Sequence, residues 1–148
     1  MFFGQFEHTI DAKGRVSVPA QFRDLLVGDA RLVLAPFTVQ HERCLDVYPY
    51  GQWEQLLQRF AERRKFDSQT IRFEMGYIAR AHRCDVDSAG RILVPPPLRR
   101  HAELVKDVVF LGVERKFRLM DRAKYEKMMG EHDAEAAVVD AYYGETGL

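Results

Sequence analysis

The sequence predicts an α+β fold, mainly β with flanking helices, built from two related units in one chain. The first observation behind this is a repeat: Asp11-Ala12-Lys13-Gly14-Arg15-Val16-Ser17-Val18-Pro19 returns 76 residues later as Asp87-Ser88-Ala89-Gly90-Arg91-Ile92-Leu93-Val94-Pro95. Asp, Gly, Arg, Val and Pro recur in register. The second is alternation of strand period, with Phe6, His8 and Ile10 on one face before the first copy and His82, Cys84 and Val86 in the matching places before the second. The third is helical spacing downstream, where Trp53, Leu56, Leu57 and Phe60 make one apolar stripe and Tyr125, Met128 and Met129 repeat its start.

Each Asp ends one strand and each Arg begins the next, so a short turn ending in Gly joins them as a hairpin. That Gly can take the left-handed conformation of a type I turn plus bulge. Asp and Arg then stand opposite each other, facing solvent. One reading is a surface ion pair that pins the turn and contributes little to stability. The other is a carboxylate that orients a guanidinium clear of the surface, where its planar fork suits phosphate or a guanine edge. The duplication favours the second reading.

In chain order, a strand over 4 to 10 leads through the turn to a strand over 15 to 18. Pro19, at home at a helix start, opens a helix over Ala20 to Leu26 that Gly28 stops. Strands from Arg31 to Leu34 and from Cys44 to Tyr48 follow, then the helix carrying Trp53. The second half repeats the order, with a strand over 91 to 94, a helix near 97 to 104, strands over 107 to 111 and 116 to 120, and a helix from Arg122 that Asp121 can cap. Ile71, Met75 and Ile78 predict a connecting helix between the halves, interrupted near Gly76. The organisation expected is residues 1–52 as the first unit, 53–80 as connecting helices, 81–124 as the second unit and 125–148 as a C-terminal helix and acidic tail. Short amphipathic strands leave exposed edges in a single unit, and interleaving two units into a small barrel removes them.

Charge and cysteine content narrow the function. The chain has 22 basic and 22 acidic residues, unevenly placed: residues 59 to 100 carry a net +5 and residues 131 to 148 a net −5. A basic middle suits a polyanion, and the acidic tail is expected to stay away from it, with Ala134, Val138 and Ala141 able to pack on a neighbour. Cys44 and Cys84 lie far apart in apolar contexts, as buried reduced thiols do, and His8, His41, His82, His101 and His132 lack ligand spacing. No metal or cofactor is expected. No run approaches the roughly 18 apolar residues of a membrane span, and MFFGQFEHTI lacks the basic start of a signal peptide, so the expectation is a cytoplasmic protein without membrane association.

The segments DAKGRVSVPAQFR and DSAGRILVPPPLR resemble the paired DxxxR motifs of the MraZ family, regulators of the bacterial division and cell-wall gene cluster, and the likeness covers nearly the whole chain. The resemblance implies two fused AbrB-like swapped-hairpin units forming a small pseudo-twofold barrel. It also implies a nucleoid-associated, ring-shaped homo-oligomer that binds double-stranded DNA at short G-rich direct repeats in promoters, mainly as a repressor, with no small-molecule substrate. Carried over by position, Asp11, Arg15, Asp87 and Arg91 match the motif as DNA-binding residues. Lys13 adds a phosphate contact in the first turn, where Ala89 stands in the second. The run Pro95-Pro96-Pro97 departs from the usual single Pro followed by polar helix residues.

Two rival classes remain. An enzyme would use His8 with Asp11, or His82 with Asp85, as acid and base. Both histidines fall on the inward face by the alternation and both motif aspartates fall outward, so the catalytic residues do not converge. An oligomeric protein-binding scaffold or antitoxin-like module is the other, distinguished by whether the protein shifts a promoter fragment.

Overall fold

In the computed structural model of the chain, each half runs strand, strand, helix, strand, strand, helix. The first half holds β1 (Gln5–Thr9), β2 (Arg15–Ser17), α1 (Ala20–Asp24), β3 (Leu32–Val39), β4 (Glu42–Pro49) and α2 (Tyr50–Arg63). The connection is α3 (Ser68–Phe73) followed by a π-helical turn over Glu74–Ile78, which contains Gly76. The second half holds β5 (His82–Arg83), β6 (Arg91–Leu93), α4 (Pro96–Ala102), β7 (Asp107–Val113), β8 (Lys116–Asp121) and α5 (Arg122–Met128), and α6 (His132–Thr146) follows. The structure describes residues 1–130 and 132–148, with side chains for all of these except 132 to 134. Pro19 and Pro95 sit immediately before α1 and α4, and the proline run begins α4 without disturbing it. Asp121 caps α5 by accepting from the Lys124 N–H at 3.1 Å.

The two halves exchange strands. A six-stranded sheet runs β1-β7-β8-β4-β3-β5, and a separate two-stranded ribbon pairs β2 with β6. The first strand of each half is thus hydrogen-bonded to the third strand of the other, β1 on β7 and β5 on β3. The fourth strands meet at the centre, with Leu45 opposite Leu119, Asp46 opposite Arg118 and Val47 opposite Phe117.

This corrects the expected barrel. Among the described residues no ladder joins β1 to β5, and the backbone bonds between β1 and β2 are those of the turn. The swapped ribbon is laid across one face of an open sheet, not stitched into it. The cause is the tight hairpin in each half, which turns the chain out of the sheet after Ile10 and again after Val86, whose N–H still pairs with Ala30 O at 2.9 Å. His82, expected to point inward like His8, is exposed on the short edge strand β5, while His8 is half-buried edge-on against Phe110.

On the ribbon side, Val16, Val18, Ile92 and Val94 join Phe22 of α1 and Leu98 of α4 over Leu34, Val47, Phe110, Phe117 and Leu119 of the sheet. The opposite face is covered by α2 and the π-helical turn through Trp53 and Tyr77, and by α5 over Cys44, Val109 and Met120. Both cysteines are buried, and burial pushes each thiol up to about 11. No helix among the described residues is long and apolar enough to cross a membrane. In α6, Val138 and Ala141 are exposed, whereas Ala134 lies outside the described side chains.

One carboxylate is buried inside this framework. Asp46 is fully enclosed and accepts from Arg118 Nε at 2.8 Å, Lys116 Nζ at 3.2 Å and the Tyr77 hydroxyl at 2.6 Å. Burial first, and then the adjacent Asp46 carboxylate, keep the Tyr77 hydroxyl protonated far above the usual phenol range. The Tyr48 hydroxyl lies 2.8 Å from it and also accepts from Lys116. Replacing Asp46 with Ala strands two cations that are largely out of water. The expected loss is about 3 kcal/mol in chemical denaturation, at the lower end for broken buried pairs because both cations keep partial solvent access. Tyr77→Phe removes one hydrogen bond to that carboxylate but leaves both cations paired, and should cost less, about 1.5 kcal/mol. Equal losses would show that the ion pairs are not what holds the sheet centre.

Candidate nucleic-acid interface

The two Asp-to-Arg turns have the predicted geometry. Gly14 and Gly90 adopt φ of +91° and +79°, the left-handed region, and their N–H groups close the turns on the carbonyls of Asp11 and Asp87, each at 3.0 Å. In the first hairpin Asp11 Oδ1 accepts from the backbone N–H of Lys13 at 3.0 Å and of Arg15 at 2.9 Å, while Oδ2 accepts from Arg15 Nε at 2.8 Å. In the second, Asp87 Oδ1 accepts from the N–H of Ala89 and of Arg91, each at 2.9 Å, but Arg91 Nε stands 3.7 Å from Oδ2. The carboxylate therefore does two jobs. It ties the turn's backbone, and in the first copy it also fixes the guanidinium.

Pairing of β2 with β6 brings the two arginines together. Arg15 lies opposite Leu93, Val16 opposite Ile92 and Ser17 opposite Arg91. The ladder continues on both sides, Val18 N–H to Gly90 O at 2.9 Å and Val94 N–H to Gly14 O at 2.8 Å. Val16 and Ile92 are buried, so Arg15, Ser17, Arg91 and Leu93 share the outward face. On such a ribbon Arg15 and Arg91 are diagonal neighbours, about 7–8 Å apart at the backbone. Their side chains are 40% and 39% exposed, half covered by the turn and half free. Lys13 is exposed at the tip of the first turn.

The hairpins also bring in two arginines that the sequence reading did not single out. Arg23 on α1 packs its guanidinium over Gly90 of the other half, where a methyl group on Gly90 would sit 2.6 Å from it, and its Nε donates to Val18 O at 3.0 Å. Arg99 on α4 packs in the same way over Gly14, and its Nη1 donates to Ala12 O at 3.2 Å. The signal was available: each ends its quoted motif at the same distance past the Arg of the turn.

The acid and base pairs of the enzymatic reading are not assembled. Burial, and secondarily Arg23, lower the pKa of His8, and the acceptors of Asp11 are occupied by its own hairpin. Asp85 is bound by Arg83 through two bonds of 2.9 Å. Among the described residues no group of His, Cys, Asp or Glu is arranged to hold a metal ion.

The Arg15 backbone N–H, followed by its guanidinium, holds Asp11 below the usual carboxylate range, and the Arg91 backbone N–H followed by that of Ala89 does the same for Asp87. A depressed pKa means the turn is held at every pH above the ordinary Asp range and loosens only as pH falls through the lowered value. Carboxyl carbon shifts followed by NMR should show both aspartates titrating below a solvent-exposed Asp of the same chain. A midpoint at the ordinary value for either would mean its turn is not held by the carboxylate.

Comparison with known proteins gives one family throughout. The family model described as "MraZ protein, putative antitoxin-like" matches residues 1–74 and 77–141, a stretch for each half of the repeat. Similar proteins named Transcriptional regulator MraZ include one from Anaeromyxobacter dehalogenans (strain 2CP-C), 42% identical over 144 residues that make up 96% of this chain and 99% of that one. Another, from Thermoanaerobacter pseudethanolicus, is 35% identical over 148 residues and the full length of both chains. A third, from Pediococcus pentosaceus, is 38% identical over 134 residues and 88% of each. With both halves matched and the likeness running the whole length, the chain belongs to the MraZ family.

Proposed function

We propose that the chain is a sequence-specific DNA-binding transcriptional regulator, not an enzyme, and that its DNA-binding residues are Arg15, Arg91 and Lys13, which contact the double helix, with Asp11 and Asp87, which set the turns that carry them. The observation that supports this most is the shared outward face of the ribbon, on which two Asp-braced turns present two guanidiniums side by side. A two-stranded ribbon fits the major groove, and a guanidinium can bond a guanine edge there in bidentate fashion. The diagonal spacing of about 7–8 Å corresponds to roughly two base-pair steps, so one ribbon suits a short G-rich element. Asp11 and Asp87 act on the DNA indirectly, by setting the turn and the guanidinium.

One ribbon offers few charges. Assembly of copies into a ring would place neighbouring ribbons on direct repeats in series, and avidity would then rise through effective concentration. In this reading the protein works at the nucleoid in the cytoplasm, on promoter repeats of the division and cell-wall gene cluster, mainly as a repressor.

Arg15→Ala and Arg91→Ala remove half-exposed side chains outside the core and should leave fold and assembly intact. Loss of a guanine contact should weaken binding about tenfold to a hundredfold per site and relax sequence preference, whereas loss of a phosphate contact should weaken all sequences alike and shallow the salt dependence. Mobility shifts over a salt series, on DNA from upstream of the protein's own gene and on scrambled DNA, separate the two. A folded double variant that binds like the parent would reduce the hairpins to structural staples. A parent that shifts neither DNA would favour the scaffold or antitoxin-like reading.

The acidic segment 131 to 148 should contribute nothing attractive, since its five carboxylates repel phosphate at close range. Truncation after Gly130 is expected to leave DNA affinity per assembled particle equal or higher. A large loss at unchanged particle size would place the tail in the interface.

A further inference from the structure

The arginines of the two short helices cross from one half of the chain to the other. Arg23 lies in the first half, yet its guanidinium covers Gly90, the left-handed residue of the second hairpin, and Arg99 of the second half covers Gly14 of the first. The contact is close: a Cβ added to Gly90 would lie 2.6 Å from Arg23 Nη1 and 2.8 Å from its Cζ, and one added to Gly14 would lie 2.6 Å from Arg99 Nε, 2.8 Å from its Cζ and 2.7 Å from the Val94 carbonyl oxygen. Neither arginine has a carboxylate partner among the described ion pairs. Arg23 is instead tied to Val18 O, one residue past β2, and Arg99 to Ala12 O, inside the first turn. Val18 in turn donates to Gly90 O, and Val94 to Gly14 O, so each arginine reaches the end of the ladder where the opposite turn begins.

We propose that Arg23 and Arg99 are positioning residues acting crosswise: each holds the turn of the opposite half, so that the two Asp-to-Arg hairpins form one coupled reading head. The physical case rests on what the turns lack. Each is held by a carboxylate and a glycine in a conformation with few alternatives of its own, but a glycine has no side chain to pack, and a turn projecting from a two-stranded ribbon is open to water on its other sides. A planar guanidinium laid on the glycine supplies the missing packing, and its bond to a nearby carbonyl fixes where the plane lies. Lysine cannot do this. It carries the charge on a flexible stem without the plane or the fork.

The arrangement has a signature that charge alone does not produce. Loss of Arg23 should loosen the Asp87–Arg91 turn and spare its own half's turn, and loss of Arg99 should do the reverse.

The test is hydrogen exchange on the full-length assembled protein without DNA, comparing Arg23→Ala, Arg99→Ala and the corresponding lysine variants. Arg23→Ala should speed exchange of the Ala89, Gly90 and Arg91 amides about tenfold or more and leave Lys13, Gly14 and Arg15 as in the parent, with Arg99→Ala giving the mirror result. The lysine variants should stay close to alanine. Unchanged exchange, loosening of both turns together, or full rescue by lysine would each overturn the proposal.

A second arm rests on the proposed DNA reading. Adding Arg23→Ala to Arg91→Ala should weaken operator binding little further, because the same turn is already disabled, while adding it to Arg15→Ala should multiply the two losses. Multiplication in both combinations would refute crosswise coupling. If the parent binds no DNA, this arm fails with the functional reading, and the exchange result still decides the structural coupling.

Discussion

Neither half of this chain pairs its own first strand within the sheet. β1 finds its partner in β7 and β5 in β3, so the backbone groups of each first strand are satisfied by the other half. Separated halves would expose strand edges and an apolar face together, the combination that promotes aggregation. The fold is therefore a property of the pair. The same exchange carries β2 and β6 out of the sheet and against each other, which is what places the two turns side by side on one surface.

The exchange imposes a local symmetry, and its axis passes through a revealing position. Asp46 and Arg118 occupy equivalent places in the repeat, by the spacing that relates Trp53 to Tyr125, and they are also each other's register partners. In a dimer of identical units this position would face its own copy. An aspartate would meet an aspartate, with a severe penalty for like charges out of water. Fusion into one chain lets the two copies differ, and the difference here is a carboxylate against a guanidinium at 2.8 Å. Lys116 and Tyr77 complete the carboxylate's hydrogen bonds, and the π-helical turn in the connection is what delivers Tyr77 to it.

What could be read in the sequence follows from what is local. Alternation of Phe6, His8 and Ile10, the left-handed glycines, the proline helix starts and the Asp121 cap are all decided within a few residues, and they stand as expected. Pairing is not local. The repeat implies that two units interleave, but whether eight strands close into a barrel depends on where each hairpin leaves the sheet, and both turn out of it, after Ile10 and after Val86, before β2 and β6 pair with each other. The alternation holds farther along the same strand, where Cys84 is buried and Val86 half-buried, whereas His82 at its outer end lies beyond the cover and is exposed. The helix starting at Tyr50 and the strand ending at Val39 both run past the limits expected, since propensity defines centres better than ends. Of the candidate site, the Asp and Arg positions are legible in the turn chemistry, whereas the placement of Arg23 and Arg99 depends on the other half's glycine lying beside them, which only the strand exchange determines.

The two hairpins are alike but not identical, and this bears on the kind of DNA such a ribbon suits. An exact twofold head presents the same groups in both directions and matches a palindrome. Here the first turn carries Lys13 where the second has Ala89, and Ser17 is matched by Leu93, which is exposed on the outward face. Arg15 is fixed by its aspartate at 2.8 Å, whereas Arg91 stands off at 3.7 Å with its Nε unbonded. One side of the head is thus more basic and has its guanidinium bonded to the turn, while the other is more apolar. If the ribbon contacts DNA as proposed, a surface polarised in this way would distinguish the two directions along a duplex. On the proposed DNA reading, repeats that all point the same way would suit such a head, while an inverted repeat would present one of its halves backwards.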